Sequence, residues 1–108
     1  MQSLLTRAQG AMFRAQGHVN AASAPEFQQQ LTNMVNSDAT AVLVDMSQVE
    51  SFDSAGLMAL VSALTLAQRL DKRFSLCSVP ASARIMLELT QLDRVFEILP
   101  SPVAFEVV

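Results

Sequence analysis

The stretch Asp45-Met46-Ser47-Gln48-Val49-Glu50-Ser51-Phe52-Asp53-Ser54-Ala55-Gly56-Leu57 gathers hydroxyl and carboxylate groups between an apolar run and an apolar helix. In an open α/β sheet the loop between the carboxyl end of a strand and a helix is where ligands and partners are met, and Ser54 stands in that loop. It follows Asp53 directly and stands at the start of a helix. A helix N-terminus offers free backbone N–H groups and roughly half a positive charge. A phosphate on Ser54 would sit in that favourable field. Plainer roles stand beside this one. Ser54 and Asp53 are both N-capping types, and Asp53 is either a cap or part of a recognition surface. Asp45, at a strand end, orders the following loop by accepting backbone hydrogen bonds, and Ser47 and Ser51 read as loop formers.

Other chemistries find little support. His18 has no companions at metal-ligand spacing and no third group at recognisable spacing to orient it as a base. Cys77 falls in an apolar run and reads as a buried filler, not a nucleophile. A glycine-rich phosphate loop, an acid/base pair and a nucleophile triad are all missing, so no enzyme, cofactor or metal is expected.

Elements must hold that serine in place, and composition sets their scale. The 108 residues fit one domain, 1–108. With 51% hydrophobic residues there is material for a packed core, and with only 16% charged, apolar surface is left over for a partner or the domain is simply Leu/Ala/Val-rich. The net charge is −3, and Lys72-Arg73 is the densest basic spot, which argues against nucleic-acid binding and a polybasic anchor. One cysteine allows no internal disulfide, no long apolar stretch follows Arg7, and Gly56 to Ala67 is too short to span a bilayer. A cytoplasmic protein without a membrane span is expected.

Ala11 to Val19 reads as a strand, with Ser3 to Ala8 pairing to it as an opening hairpin through Gln9-Gly10. Ser23 and Glu26 have the form of a capping box, with Pro25 in the first turn; Phe27, Leu31 and Met34 then mark one helical face. Asn36-Ser37-Asp38 closes that helix. Ala41 to Val44 is a continuous apolar run, read as a central parallel strand that Asp45 ends. Gly56 to Asp71 is the clearest helix, with Leu57, Leu60, Val61, Leu64 and Ala67 inward; Met58 and Leu66 lie beyond that stripe, as core or as partner surface. Phe74 to Val79 reads as a strand. Pro80 opens a third helix with Ile85, Leu89 and Leu92 on one face, Val95 to Leu99 is a last strand, and Phe105 to Val108 a packed tail. Alternating strands and helices imply an α/β domain: a mixed, mostly parallel sheet of about four to five strands flanked by helices.

Asp45-Met46-Ser47 followed by Phe52-Asp53-Ser54-Ala55-Gly56-Leu57 resembles the signature of anti-sigma factor antagonists and the wider STAS domain family. Their pattern is an aspartate at a strand end, then Asp-Ser-(Ser/Thr/Ala)-Gly-Leu opening a helix. Gly17-His18-Val19-Asn20 is similar to the family's Gly-x-(Ile/Leu/Val)-Asp, and Leu89 to Phe96 to its closing helix-to-strand junction. Two positions depart. Asn20 replaces an aspartate and removes a charge. Gln91 stands where glycine is frequent, and a non-glycine residue in the left-handed conformation there costs roughly 1 kcal/mol.

The resemblance implies a STAS-like single domain and a partner switch. A serine protein kinase that is itself an anti-sigma factor would phosphorylate Ser54, and a phosphatase would reverse it. Asp53, Ser54, Ala55, Gly56, Met58 and Asn20 would form the surface that meets the kinase. The unphosphorylated chain would bind the kinase and free a sigma factor. The competing reading is a STAS-like subunit of a lipid-transport or stress-signalling assembly in which Ser54 is never phosphorylated.

Overall fold

A computed structural model describes residues 10–107. Strand β1 (Gly10–Val19) is followed by α1 (Ala24–Val35), β2 (Ala41–Phe52), α2 (Ser54–Arg69), β3 (Arg73–Cys77) and α3 (Ala81–Leu89). A 3-10 turn (Leu92–Arg94), β4 (Glu97–Leu99) and α4 (Pro102–Val107) complete the order. The sheet runs β1-β2-β3-β4, and every pairing is parallel. The expected α/β sheet flanked by helices is thus present. The hairpin expected for Ser3 to Ala8 lies outside the described residues, as does Val108.

Right-handed crossovers between sequential neighbours place α1, α2 and α3 on one face of the sheet. The core follows that rule. Val42, Val44 and Met46 of β2 and Phe74 and Leu76 of β3 join Leu31, Leu60 and Leu87 of the helices in one buried cluster. The alternate strand positions carry a different chemistry. Arg14 Nε donates to Asp45 Oδ2 at 3.1 Å. Arg73 grips Glu97 through two bonds of 2.7 and 2.9 Å, and Ser75 Oγ also donates to that carboxylate. Arg73 further donates to the Phe105 carbonyl at 3.1 Å and lies 4.5 Å from that ring's centre, tying α4 to the sheet.

Four sequence expectations need correction. Strand β2 does not end at Asp45 but runs to Phe52. Its pairing with β1 shifts register between Arg14 and Gln16 and again between Gly17 and His18. The bulges let β2 continue while Ser47, Gln48, Glu50 and Ser51 turn outward and Met46, Val49 and Phe52 stay buried. Gly17, at φ 74°, supplies the left-handed backbone one of these shifts needs.

The capping box is displaced as well. Ser23 makes no side-chain cap to α1. Instead Asn20 Oδ1 accepts from the Ala22 and Ser23 amides at 2.9 and 3.2 Å, and Ser23 Oγ accepts from the Asn20 amide at 3.0 Å. The reciprocal box therefore sits three residues earlier, on Asn20 and Ser23.

Helix α3 is turned the other way. Ala83 and Leu87 are buried, with Met86 packed against the core, whereas Ile85 and Leu89 are 55% and 80% exposed. Both faces of α3 are apolar, so periodicity alone selects neither. The last strand is also shorter than expected: Val95 is exposed and Phe96 buried ahead of β4, and the tail forms α4. Gln91 takes φ 61°, ψ 17°, the left-handed stop anticipated for that position.

Candidate functional site

The carboxyl ends of β1 and β2 lie side by side, with Val19 paired to Phe52, and α2 starts immediately beyond. The Asp53 amide donates to the Val19 carbonyl at 3.1 Å, fastening the turn to β1. Asp53 is then the N-cap of α2. Its Oδ1 accepts from the Ala55 amide at 2.9 Å and the Gly56 amide at 3.3 Å. Two of the helix's free donors are thereby satisfied by a carboxylate, whose charge also suits the positive end of the dipole.

This assigns the cap to Asp53 and leaves Ser54 outside it. Ser54 is the first residue of α2 and is exposed. One turn further on, Met58 is 59% exposed. Ala55 is half-buried. Gly56, expected at the partner surface, is buried instead. A Cβ there would stand 2.7 Å from Val19 Cγ1 and 2.9 Å from Phe52 Cε1. Its part is to let α2 approach the strand ends closely, which fixes where Ser54 stands. Asn20 lies half-buried at the end of β1, and its carboxamide oxygen is committed to the α1 capping box.

Asp45 accepts a backbone hydrogen bond as expected, but inside β2 and not in a loop. It is 3% exposed, and its Oδ1 accepts from the Ser47 amide at 2.9 Å. Burial pushes its carboxyl up, but the Ser47 bonds and Arg14 outweigh this and hold it below its ordinary value. Cys77, paired to Asp45 across β2 and β3, is fully buried. Burial, then the Asp45 charge, pushes its thiol up, which disfavours the reactive thiolate.

His18 does have companions that the sequence did not reveal. Its Nδ1 lies 2.7 Å from Ser51 Oγ, and its Nε2 lies 3.8 Å from Glu50 Oε1. His18 and Ser51 are 33 residues apart, so only the β1–β2 register brings them together. The His18 and Glu50 side chains are 62% and 70% exposed, so water screens the trio and no pocket encloses it. Among the described residues no group of His, Cys, Asp and Glu could hold a metal ion, and no helix is long and apolar enough to cross a membrane.

A four-stranded parallel sheet covered by helices, with α2 starting at the carboxyl ends of β1 and β2, defines an α/β domain class, and comparison with known proteins gives that class its family. The STAS domain family matches residues 3–104, and the chain belongs to it. A candidate anti-sigma factor antagonist of Thermotoga maritima superposes with a TM-score of 0.85 at 25% identity, covering 94% of this chain and 88% of that one. An anti-sigma factor antagonist from Mycobacterium paratuberculosis gives 0.82 at 22% identity, covering 91% and 83%. The anti-sigma factor antagonist SpoIIAA in its unphosphorylated form gives 0.75 at 11% identity, covering 90% and 85%. The last two establish likeness of fold.

Proposed function

We propose that the chain is an anti-sigma factor antagonist-like regulatory protein that binds a serine kinase acting as an anti-sigma factor, and that phosphorylation of Ser54 switches this binding off. The observation that carries the reading is the division of labour at the start of α2. Asp53 supplies the cap, so the Ser54 hydroxyl stands exposed and free of that duty. The structural neighbours named as anti-sigma factor antagonists support the same role.

Physics supplies the switch. A phosphoryl group adds roughly −1.5 to −2 charges at the position where the α2 dipole tolerates them best. The fold therefore stays intact while the surface changes. Next to the Asp53 carboxylate the new charge creates an acidic cluster that repels an acidic or phosphate-bearing surface of the kinase. Asp53, Ser54, Ala55 and Met58 form the docking surface, Met58 giving it an apolar contact. Asn20 flanks it, and Gly56 acts from beneath by setting the approach of α2. The chain needs no catalytic group of its own, because the kinase brings ATP and a phosphatase removes the phosphate. The reading places the protein in the cytoplasm.

The test is a pull-down from lysate of the native organism with wild type, Ser54→Ala and Ser54→Asp as baits, read by mass spectrometry. A serine kinase retained by wild type and Ser54→Ala and lost with Ser54→Asp is the expected result. Equal retention of the same proteins by all three baits would overturn the switch and favour a constitutive subunit of a larger assembly.

A further inference from the structure

The α3 face that turned outward carries more exposed aliphatic surface than its neighbours in the fold. Ile85 and Leu89 stand one turn apart on one side of the helix, 55% and 80% exposed, and Val95 beyond the 3-10 turn is 51% exposed. An aliphatic side chain as open to water as Leu89, with an equally apolar neighbour, marks a contact surface when its surroundings give a partner something to read.

The surroundings here are charges of both signs. Arg84 and Glu88 are exposed one turn apart, on the flank of α3 next to Ile85, and Asp93 and Arg94 follow on the 3-10 turn. None of the four enters an ion pair among the described residues. Two positive and two negative groups make the patch locally neutral on a chain of net charge −3. A strongly basic or strongly acidic partner would leave half of them opposed by like charge. A second copy of the same patch would not.

From this we infer that the Ile85–Leu89 face of α3 is a self-association surface that pairs two copies of the chain about a twofold axis. When two helices pack antiparallel about such an axis, the same flank of each faces the other with its order reversed. Arg84 of one copy then lies by Glu88 of the second, and Glu88 by Arg84, while Ile85 and Leu89 close over each other between them. The contact is small, since it rests on nine residues of α3 and one turn. The dimer is accordingly weak and reversible. It leaves the start of α2 untouched, so it does not depend on the role assigned to Ser54.

Sedimentation velocity over a concentration series from about 5 µM to about 1 mM spans the range of so small an interface. A reversible monomer–dimer equilibrium is expected. Leu89→Glu, and separately Ile85→Lys, should each weaken it by about tenfold or more, with unchanged circular dichroism showing that the fold is kept. Arg84→Glu and Glu88→Arg should each weaken self-association at low salt. Mixing those two variants should restore it, because each then faces the opposite charge at both positions. A chain that stays monomeric throughout would overturn the proposal and leave the face to a different protein. So would a dimer that ignores Leu89→Glu, or charge variants that show no recovery on mixing.

Discussion

Helices α2 and α3 are both apolar, both follow a parallel strand, and both cover the same face of the sheet, yet they are held in different ways. Helix α2 presents one stripe, Leu57, Leu60, Leu64 and Ala67, widened by the buried small residues Ala59 and Ala63. Its start is fixed twice, by the Asp53 cap and by the close seat of Gly56 on Val19 and Phe52. Helix α3 has apolar residues on two opposite faces, with Arg84 and Glu88 on one flank between them, and only Ala83 and Leu87 are buried. Pro80 stands at its N-cap and makes no side-chain cap. The difference shows that Ser54 is carried by the helix with no rotational choice. The helix that had a choice leaves a second apolar face open.

The sharpest way to break this comparison is to truncate both faces of α3. Leu87→Ala should cost about 2–5 kcal/mol in urea unfolding, because Leu87 is fully buried. Leu89→Ala should change stability by no more than about 0.5 kcal/mol. Equal effects would mean that α3 is rotated from the position described.

The next largest effect belongs to the seat of α2. Gly56→Ala pushes a methyl against Val19 and Phe52 and should cost about 1–3 kcal/mol, with binding of the proposed kinase partner weakened as the Ser54 turn shifts. A stability unchanged from wild type would show that the close approach is not needed. Asp53→Ala removes a two-bond cap and should cost about 1 kcal/mol. Ser82→Ala, near the uncapped start of α3, should stay within about 0.5 kcal/mol. Thermal unfolding of the pair reads the contrast directly.

The smallest effect concerns the polar face of the sheet. Asp45 and Glu97 both have carboxyls held below their ordinary values. For Asp45, burial works against the shift, and Ser47 and Arg14 overcome it; for Glu97, the Arg73 bond leads, opposed by burial and aided by Ser75. A carboxyl lowered in the folded state contributes stability that is fully present above its unfolded value and lost as pH falls through its folded one. Stability should therefore be level near neutrality and decline below about pH 4. Arg14→Gln should move the acid unfolding midpoint to higher pH, because Asp45 then holds its proton more readily. A midpoint that does not move would remove Arg14 from this role.

Much of the frame was legible because its signals are local. A continuous apolar run marked β2 and a single stripe marked α2; the left-handed stop that Gln91 occupies was implied by the family resemblance. What the sequence hid depended on partners far along the chain. The bulged β1–β2 register carries β2 past Asp45 and brings His18 to Ser51, and no pattern within either strand states that register. The capping box moved to Asn20 because Ser23 Oγ also reaches the His18 carbonyl at 2.8 Å, a bond set by how β1 ends. At the site itself, the choice between Asp53 and Ser54 as cap was open in the sequence. The extended backbone of Asp53 (φ −121°, ψ −172°), directly before the first helical residue, decides it.

The most direct test of the account is to incubate the wild-type chain and Ser54→Ala with ATP and an anti-sigma factor serine kinase of the same organism. The modified peptide is then mapped, and binding to that kinase is measured before and after. One phosphoryl group on Ser54, none on Ser54→Ala, and loss of kinase binding on modification is the expected result. Phosphate on another residue, no phosphate from any such kinase, or binding unchanged by modification would contradict the account.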